Sequence, residues 1–547
     1  MRRLDSVERN AFKFSVPSNP LSKTSLRCAA SVLSGLLLVA CFPKFSWHLL
    51  VWVACLPLMA ALAGETRLAR AFGWGYLTGA VFLTGSCYWF VGVLERYGHL
   101  NAGPSIGVLG LFVLVFSVFF GAFGLVEGWA ARASPGLALA LSPFLWVTME
   151  LARTYLITGF PWNLFGYAVQ AAGLRQLASI TGVYGLSFLA VGTSALLAGV
   201  LRAPRARWAG GVLGIWVALV LLLHGVLRPP AVVTGRNLAF LVQPNVPLDE
   251  AVLESWEPWR DPARLNQLVN TTLSAVFVSR EAGALPAERG KLQPPAGRQP
   301  LIVWAENPAP FFFTRDPIFR GAVTKMAQQA RAWVVVNTVN FIGPGNAQAT
   351  NSAVVLDPDG RELLTYDKIH LVPFGEYVPA WAFPGKVGKI TSEVGNYVPG
   401  SRYQVAQTPD GAIGVLICYE AIFPQLVRRL TLAGAGVLVN ISNDAWYGDS
   451  AAAPQHLEMA RLRAIENGRY LLRATNDGIT VFIDPYGRIA QQLPRHRAMV
   501  LIGRFDYRSG ETFYTRHGDV FAWLCVVVSA ALLVLAGVRD IRRIVLW

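Results

Sequence analysis

Long apolar runs separated by short basic gaps fill the first 227 positions, after which the pattern changes. The runs cover residues 28–42, 47–63, 71–94, 102–126, 137–157, 177–201 and 208–227, and one more covers 520–538. A helix needs about 20 residues to cross a hydrocarbon layer ~30 Å thick. The pattern therefore predicts seven membrane helices and, much later, an eighth, with the first two runs short for a crossing. Lys and Arg occupy alternate gaps: ahead of the first run, at Arg67 and Arg70, at Arg132, at Arg202, Arg205 and Arg207, and after the last run at Arg539, Arg542 and Arg543. By the positive-inside rule both termini lie in the cytoplasm, and seven crossings leave residues 228–519 on the other side. The expected division is a cytoplasmic segment 1–27, a helix bundle 28–227, an extracytoplasmic domain 228–519, a final span 520–538 and a cytoplasmic tail 539–547.

Within 228–519 the period shortens. Runs at 237–246, 300–306, 333–342, 352–356, 412–418, 437–442 and 478–483 read as strands, and continuous apolar stretches such as Gly414-Val415-Leu416-Ile417 suit strands buried on both faces. Asp357-Pro358-Asp359-Gly360 and Asp484-Pro485-Tyr486-Gly487 are hairpin turn signals. Amphipathic helical segments occupy 422–433 and 455–467. Strands alternating with helices, with hairpins added, predict an α/β or α+β sandwich carrying its helices outside the sheets. Residues 283–299, rich in Pro and Gly, read as a surface loop or insertion.

Composition sharpens the division. Hydrophobic residues make up 53% and charged ones 15%, with mean hydropathy +0.41, where a soluble domain carries about a quarter charged residues. The net charge of +15 does not signal nucleic acid, because the arginines sit in short clusters beside apolar runs. Of six cysteines, five lie in or beside apolar runs and only Cys418 lies in the polar domain, which argues against a disulfide framework or a cysteine zinc site there. His370, His456 and His496 are too scattered for a helical zinc motif, so no metal and no cofactor are expected. Leu38-Val39-Ala40-Cys41 is similar to a lipoprotein signal-peptide cleavage box, which leaves removal of the first helix open. Glu150 and Arg153, three residues apart inside the fifth run, share a helix face as an intramembrane functional pair or as packing glue.

Three places carry candidate chemistry. In Gly414-Val-Leu-Ile-Cys418-Tyr419-Glu420 a buried strand ends at a thiol and a helical segment follows. Such a turn lifts a nucleophile above a sheet and turns backbone N–H groups toward what it attacks. A free thiol with a pKa near 8.5 needs activation, and the alternative is a structural cysteine. Lys368, in Tyr366-Asp-Lys-Ile-His370, follows a hairpin strand, where an ammonium can hold a thiolate or an oxyanion, or can simply be solvated. Glu306 ends the apolar run Leu301-Ile-Val-Trp-Ala305. A carboxyl desolvated at such a strand end becomes a stronger base, whereas an exposed one has no special role.

Taken together, Glu, Lys and Cys in that order, each at a strand end, resemble the nitrilase superfamily. Longer strings resemble its membrane-bound branch, the apolipoprotein N-acyltransferases: residues 366–379 (YDKIHLVPFGEYVP), 417–420 (ICYE), 441–448 (ISNDAWYG), 455–464 (QHLEMARLRA) and 473–480 (RATNDGIT). The seven-plus-one span pattern extends the likeness over essentially the whole chain. The family's usual Trp-Pro-Glu is here Trp304-Ala305-Glu306, which loosens the strand exit and keeps the carboxylate.

The resemblance implies a bacterial inner-membrane enzyme whose nitrilase-like αββα sandwich faces the periplasm. It further implies that Glu306 takes the Cys418 proton and that the thiolate attacks an acyl ester of a phospholipid such as phosphatidylethanolamine. Lys368 and the Tyr419 N–H would hold the oxyanion, with Glu376 and Glu420 orienting Lys368 and Cys418. A thioester on Cys418 then passes its acyl group to the α-amine of a diacylglyceryl-cysteine at an apolipoprotein N-terminus. The expected partners are these two lipids and the bilayer, with no nucleic acid and a monomeric enzyme. Aromatic residues at 311–313 and 381–383, with Trp256 and Trp259, are candidate lids or ordinary core. Two rival readings are a membrane-tethered amidase with the same triad, and a transporter with an outer binding domain, which predicts broken or charged helices at midplane.

Overall fold

The computed structural model describes residues 20–545, apart from 66, 99, 204–206, 232–234, 248–261, 282–297, 307–311, 344–347 and 378–396. Trp256, Trp259, residues 381–383 and nearly all of 283–299 thus lie outside the described residues. Phe313 does not form a lid: it is buried in the core, with its ring 6.4 Å from Phe319.

The N-terminal part is a bundle of apolar helices: α1 (Pro20–Cys41), α2 (Leu56–Leu62), α3 (Leu68–Cys87), α4 (Trp89–Tyr97), α5 (Ala102–Ala133), α6 (Pro135–Tyr155), the single turns α7 (Ala172–Arg175) and α8 (Ala178–Thr181), α9 (Val183–Arg202) and α10 (Arg207–Val226). Among the described residues six helices are long and apolar enough to cross a membrane: α1, α5, α6, α9, α10 and the C-terminal helix over Val520–Val538. The α3–α4 pair, bent by 50°, makes a seventh if it is one span. The second expected span differs from its sequence reading. It is a 3₁₀ turn at His48–Trp52 followed by the seven-residue α2. Pro57 in the first turn of α2 has no N–H to continue a helix from the turn before it. The sixth run is also split, because Gly182 at φ 65° separates α8 from α9. Helices α3 and α5 meet backbone to backbone: a Cβ on Gly75 would stand 2.1 Å from the Phe120 carbonyl oxygen, and one on Gly124 2.3 Å from that of Ala71.

Glu150 and Arg153 both turn to the loop after α6. Glu150 Oε1 accepts from Trp146 Nε1 at 3.1 Å and from the Phe165 N–H at 2.6 Å, while Arg153 Nη2 donates to the Asn163 carbonyl at 3.3 Å. The pair lines a cavity of about 20 Å³, and its visible role is to pin that loop.

The second part is a sandwich of two six-stranded sheets. The first runs β12-β1-β2-β3-β4-β5, from β1 (Asn237–Gln243), β2 (Leu301–Trp304), β3 (Trp333–Ile342), β4 (Gln348–Leu356), β5 (Glu362–Asp367) and β12 (Met499–Phe505). The second runs β11-β10-β9-β8-β7-β6, from β6 (Ala406–Thr408), β7 (Gly411–Ile417), β8 (Ala435–Ser442), β9 (Tyr470–Thr475), β10 (Val481–Ile483) and β11 (Ile489–Gln492). Each has parallel strands at its centre and antiparallel strands at its edges. The two-residue period sends alternate side chains to opposite faces. Leu241, Val303 and Val335 share a core with Val415, Val437 and Val439 of the other sheet. Phe240, Ile302 and Val334 pack instead with Val276 of α11 (Pro262–Glu281) and with Phe319 and Met326 of α12 (Pro317–Ala330). Helices α13 (Pro424–Leu432) and α14 (Ala452–Asn467) cover the second sheet. The predicted αββα sandwich joined to a membrane-type bundle is the observed fold, and α15 (Phe513–His517) leads into α16 (Val520–Val545), which returns to the bundle.

Candidate active site

Parallel strands end together, so residues just past their ends collect at one edge of the sandwich. Glu306 follows β2, Lys368 follows β5, and Cys418 follows β7. All three are buried, with Lys368 1% and Cys418 6% exposed.

Lys368 Nζ donates to Glu376 Oε1 at 2.8 Å and lies 3.8 Å from Glu306 Oε1. Glu306 is gripped from two sides: Asn351 Nδ2 donates to Oε1 at 2.9 Å, and the Asn443 N–H to Oε2 at 3.1 Å. The same Asn351 amide donates to Glu376 Oε1 at 2.8 Å and is itself held by Asn337 at 2.9 Å. The Cys418 thiol lies within reach of the charges on both Glu306 and Lys368. Thus the three residues singled out in the sequence meet, with Glu376 as the primary partner of the lysine.

The charges follow from this packing. Burial raises the Glu306 pKa above the ordinary carboxylate value, opposed by the Lys368 ammonium and assisted by the charge on Glu376. Burial alone would lower the Lys368 pKa, but Glu376 and Glu306 outweigh it and keep the amine protonated. Burial, with the Glu306 charge added and Lys368 opposing, pushes the Cys418 thiol up to about 12. At rest the sulfur is therefore a neutral thiol, which needs a base before it can act as a nucleophile. His370, pushed down to about 4 by burial and by Lys368, stays neutral.

Cys418 has φ 50°, a left-handed conformation for a residue with a Cβ. The turn is held from below by Glu420, whose Oε2 accepts from the Ile417 N–H at 2.7 Å. Its Oε1 accepts from the Ile369 N–H at 2.7 Å, the His370 N–H at 3.2 Å and the Tyr366 hydroxyl at 3.0 Å. Glu420 thereby ties the cysteine turn to the lysine loop, although burial raises its pKa to about 7. Tyr419 stands beside the thiol, its ring 5.2 Å from Phe423. Asn351, Asn443 and the buried group Asp444–His456–Arg473 carried no individual signal in the sequence.

The bundle reaches the site directly. Trp89 lies 5.0 Å from Tyr447, and Trp162 lies 5.7 Å from His456, ring centroid to centroid. Trp162 Nε1 donates to Gln455 Oε1 at 2.8 Å, and Gln455 Nε2 donates to the Pro43 carbonyl at 2.8 Å and the Ser86 carbonyl at 3.2 Å. The chemistry available is that of a thiol, a base and a fixed cation beneath apolar helices.

Comparison with known proteins agrees with this division. Residues 34–196 match the apolipoprotein N-acyltransferase N-terminal domain, and residues 301–513 match the carbon-nitrogen hydrolase family. A Geobacter metallireducens protein named apolipoprotein N-acyltransferase is 37% identical, covering 93% of this chain and 95% of its own length. Proteins of the same name from Bradyrhizobium diazoefficiens (33%, covering 76% and 75%) and Rhizobium rhizogenes (31%, covering 95% and 97%) are also similar. Among solved structures, an amidase from Nesterenkonia sp. covers 54% of this chain and 97% of its own, at 19% identity and TM-score 0.37. With more than a third of its residues shared along almost the full length of such a relative, the chain belongs to the apolipoprotein N-acyltransferase family and is a membrane-associated acyltransferase.

Proposed function

We propose that the protein moves a fatty acyl group from a membrane phospholipid to the amino terminus of an apolipoprotein, in two half-reactions through Cys418. In the first, Glu306 takes the thiol proton as sulfur attacks the ester carbonyl. The oxyanion forms against the Lys368 ammonium and the Tyr419 N–H. The ester C–O bond breaks, and the lysophospholipid leaves with the proton from Glu306. In the second, the α-amine of the S-diacylglyceryl-cysteine attacks the thioester. The C–S bond breaks, and the amine's proton returns by way of Glu306 to the sulfur. Glu376 holds Lys368, and Glu420 holds the cysteine turn. The donor is a phospholipid such as phosphatidylethanolamine and the acceptor a diacylglyceryl apolipoprotein. The enzyme works as a monomer in the bacterial inner membrane, with residues 228–519 on the periplasmic side.

The observation that carries this reading is the gathering of Cys418, Glu306 and Lys368 one layer of side chains from the bundle, whose Trp89 and Trp162 pack on Tyr447 and on the His456 ring behind the cysteine. A thioester suits it, since a thioester is readily attacked by an amine, and both substrates are lipids that a bundle can deliver. The test is incubation of the purified protein with acyl-labelled phospholipid. A hydroxylamine-labile label on the protein is expected, and a Cys418→Ala variant that still takes label would overturn the reading.

A further inference from the structure

His456 of α14 is fully buried directly behind the cysteine turn, and the reaction as written gives it no task. Its Nε2 lies 3.2 Å from the Cys418 carbonyl oxygen. A carbonyl can only accept, so a productive contact requires the hydrogen on Nε2. Nδ1 then offers a lone pair to Arg473 Nη2, 3.1 Å away. That guanidinium also holds both oxygens of Asp444, at 2.7 and 2.9 Å, and Asp444 Oδ1 lies 3.1 Å from Nδ1. The other neutral tautomer would give Asp444 a donor but would set the Nε2 lone pair against the carbonyl. Burial, with Arg473 beside it, lowers the His456 pKa and keeps the ring neutral.

The peptide linking Cys418 to Tyr419 is a rigid plane whose C=O and N–H point in opposite directions. Clamping its oxygen toward α14 turns the Tyr419 N–H the other way, toward the face where the sulfur reacts. Tyr419 is the second residue of the 3₁₀ turn Cys418–Ile422, too early in it for its N–H to have an acceptor within the turn. At Cys418 the backbone already sits at φ 50°, so this plane needs an outside hold.

We propose that His456 is a positioning residue, aiming the oxyanion-binding N–H of Tyr419 by donating from Nε2 to the Cys418 carbonyl. The inference rests on the acyl-transfer reading above and adds to it a source of the oxyanion site's geometry. Arg473, donating to Nδ1 and neutralising Asp444 beside it, sets the tautomer, and Trp162 and Tyr447 wall in the ring, with centroids 5.7 and 6.3 Å away.

The test compares His456→Gln, whose amide nitrogen reaches the place of Nε2, with His456→Asn, whose amide stops short. Both are assayed in full-length protein with labelled phospholipid in mixed micelles. Thioester formation in His456→Asn is expected to fall about ten- to a hundredfold, short of the ~10²–10³ for outright loss of an oxyanion donor because the N–H is misaimed rather than removed, with the apparent KM for phospholipid little changed. His456→Gln should recover most of the rate. Alkylation of Cys418 by iodoacetamide, a displacement that forms no oxyanion, should proceed at the wild-type rate in both. Wild-type thioester formation in His456→Asn, equal losses in the two variants, or alkylation falling in step with acyl transfer would each overturn the proposal. Should neither variant fold, ¹⁵N-histidine spectra of the wild type decide it, with a hydrogen on Nε2 expected and one on Nδ1 contrary. A wild-type protein that takes no label at all overturns the acyl-transfer reading instead, so the two failures are distinguishable.

Discussion

Burial places the acidic partners of the site on unusual footings, and each has a measurable consequence. Glu306 accepts a proton only while ionised, and burial raises its pKa. The rate of thioester formation should therefore fall as pH drops through that raised pKa, along an acid limb lying above the ~4.3 of a free glutamate. Glu306→Gln should lower the rate by about 10²- to 10⁴-fold and abolish that limb; a stopped-flow pH profile of the labelled thioester reads both. Glu420 carries a different burden. Glu420→Ala strands four donors, from Tyr366, Ile369, His370 and Ile417. At ~1–3 kcal/mol for each unsatisfied buried group, partly relieved by water, a net loss of about 2–4 kcal/mol is expected. An unchanged thermal midpoint in detergent would count against that account. Glu306 and Cys418 were conspicuous in the sequence because each ends an apolar strand, and Lys368 because it follows a hairpin strand. Asn351 was not. Its role comes from the antiparallel pairing of β3 and β4, which sets it opposite Val339 and within reach of both glutamates. No linear pattern encodes such a register.

At the scale of elements, long periodic segments were read well and irregular ones poorly. Strand β3 occupies the expected residues 333–342, since its apolar run has clear ends. Strand β12 went unread because only alternate residues of Met499–Phe505 are buried. The second membrane run read as one continuous helix, because hydropathy counts apolar residues and ignores the break that Pro57 imposes. Bundle packing yields a sharper expectation. Gly75 and Gly124 let α3 and α5 touch where a Cβ would strike a carbonyl oxygen. Gly124→Val should separate these helices and lower the detergent thermal midpoint markedly, whereas Gly110→Val on the same helix, with nothing within 4 Å of its Cβ, should not. Equal midpoints for the two variants would show that the close contact contributes little.

Over the whole molecule, the arrangement with respect to the membrane follows from how many times the chain crosses before Asn237. The count is odd, with the two ends on opposite sides, if His48–Leu62 and the bent α3–α4 pair each cross once, and even if one of them does not. Asp359 stands in an exposed turn, its side chain 71% accessible. In a chain with Cys28 replaced, Asp359→Cys should react with an impermeant maleimide in intact spheroplasts, as a periplasmic domain requires. Reaction only after permeabilisation would reverse the proposed orientation.

Gln455 has a consequence of its own. One side chain of the sandwich, held by Trp162, grips the Pro43 and Ser86 carbonyls of the bundle, and it lies one residue before the imidazole behind the reacting sulfur. The anchor is thus part of the workbench: a sandwich cut away from its helices would keep its two sheets but lose the footing beside Cys418.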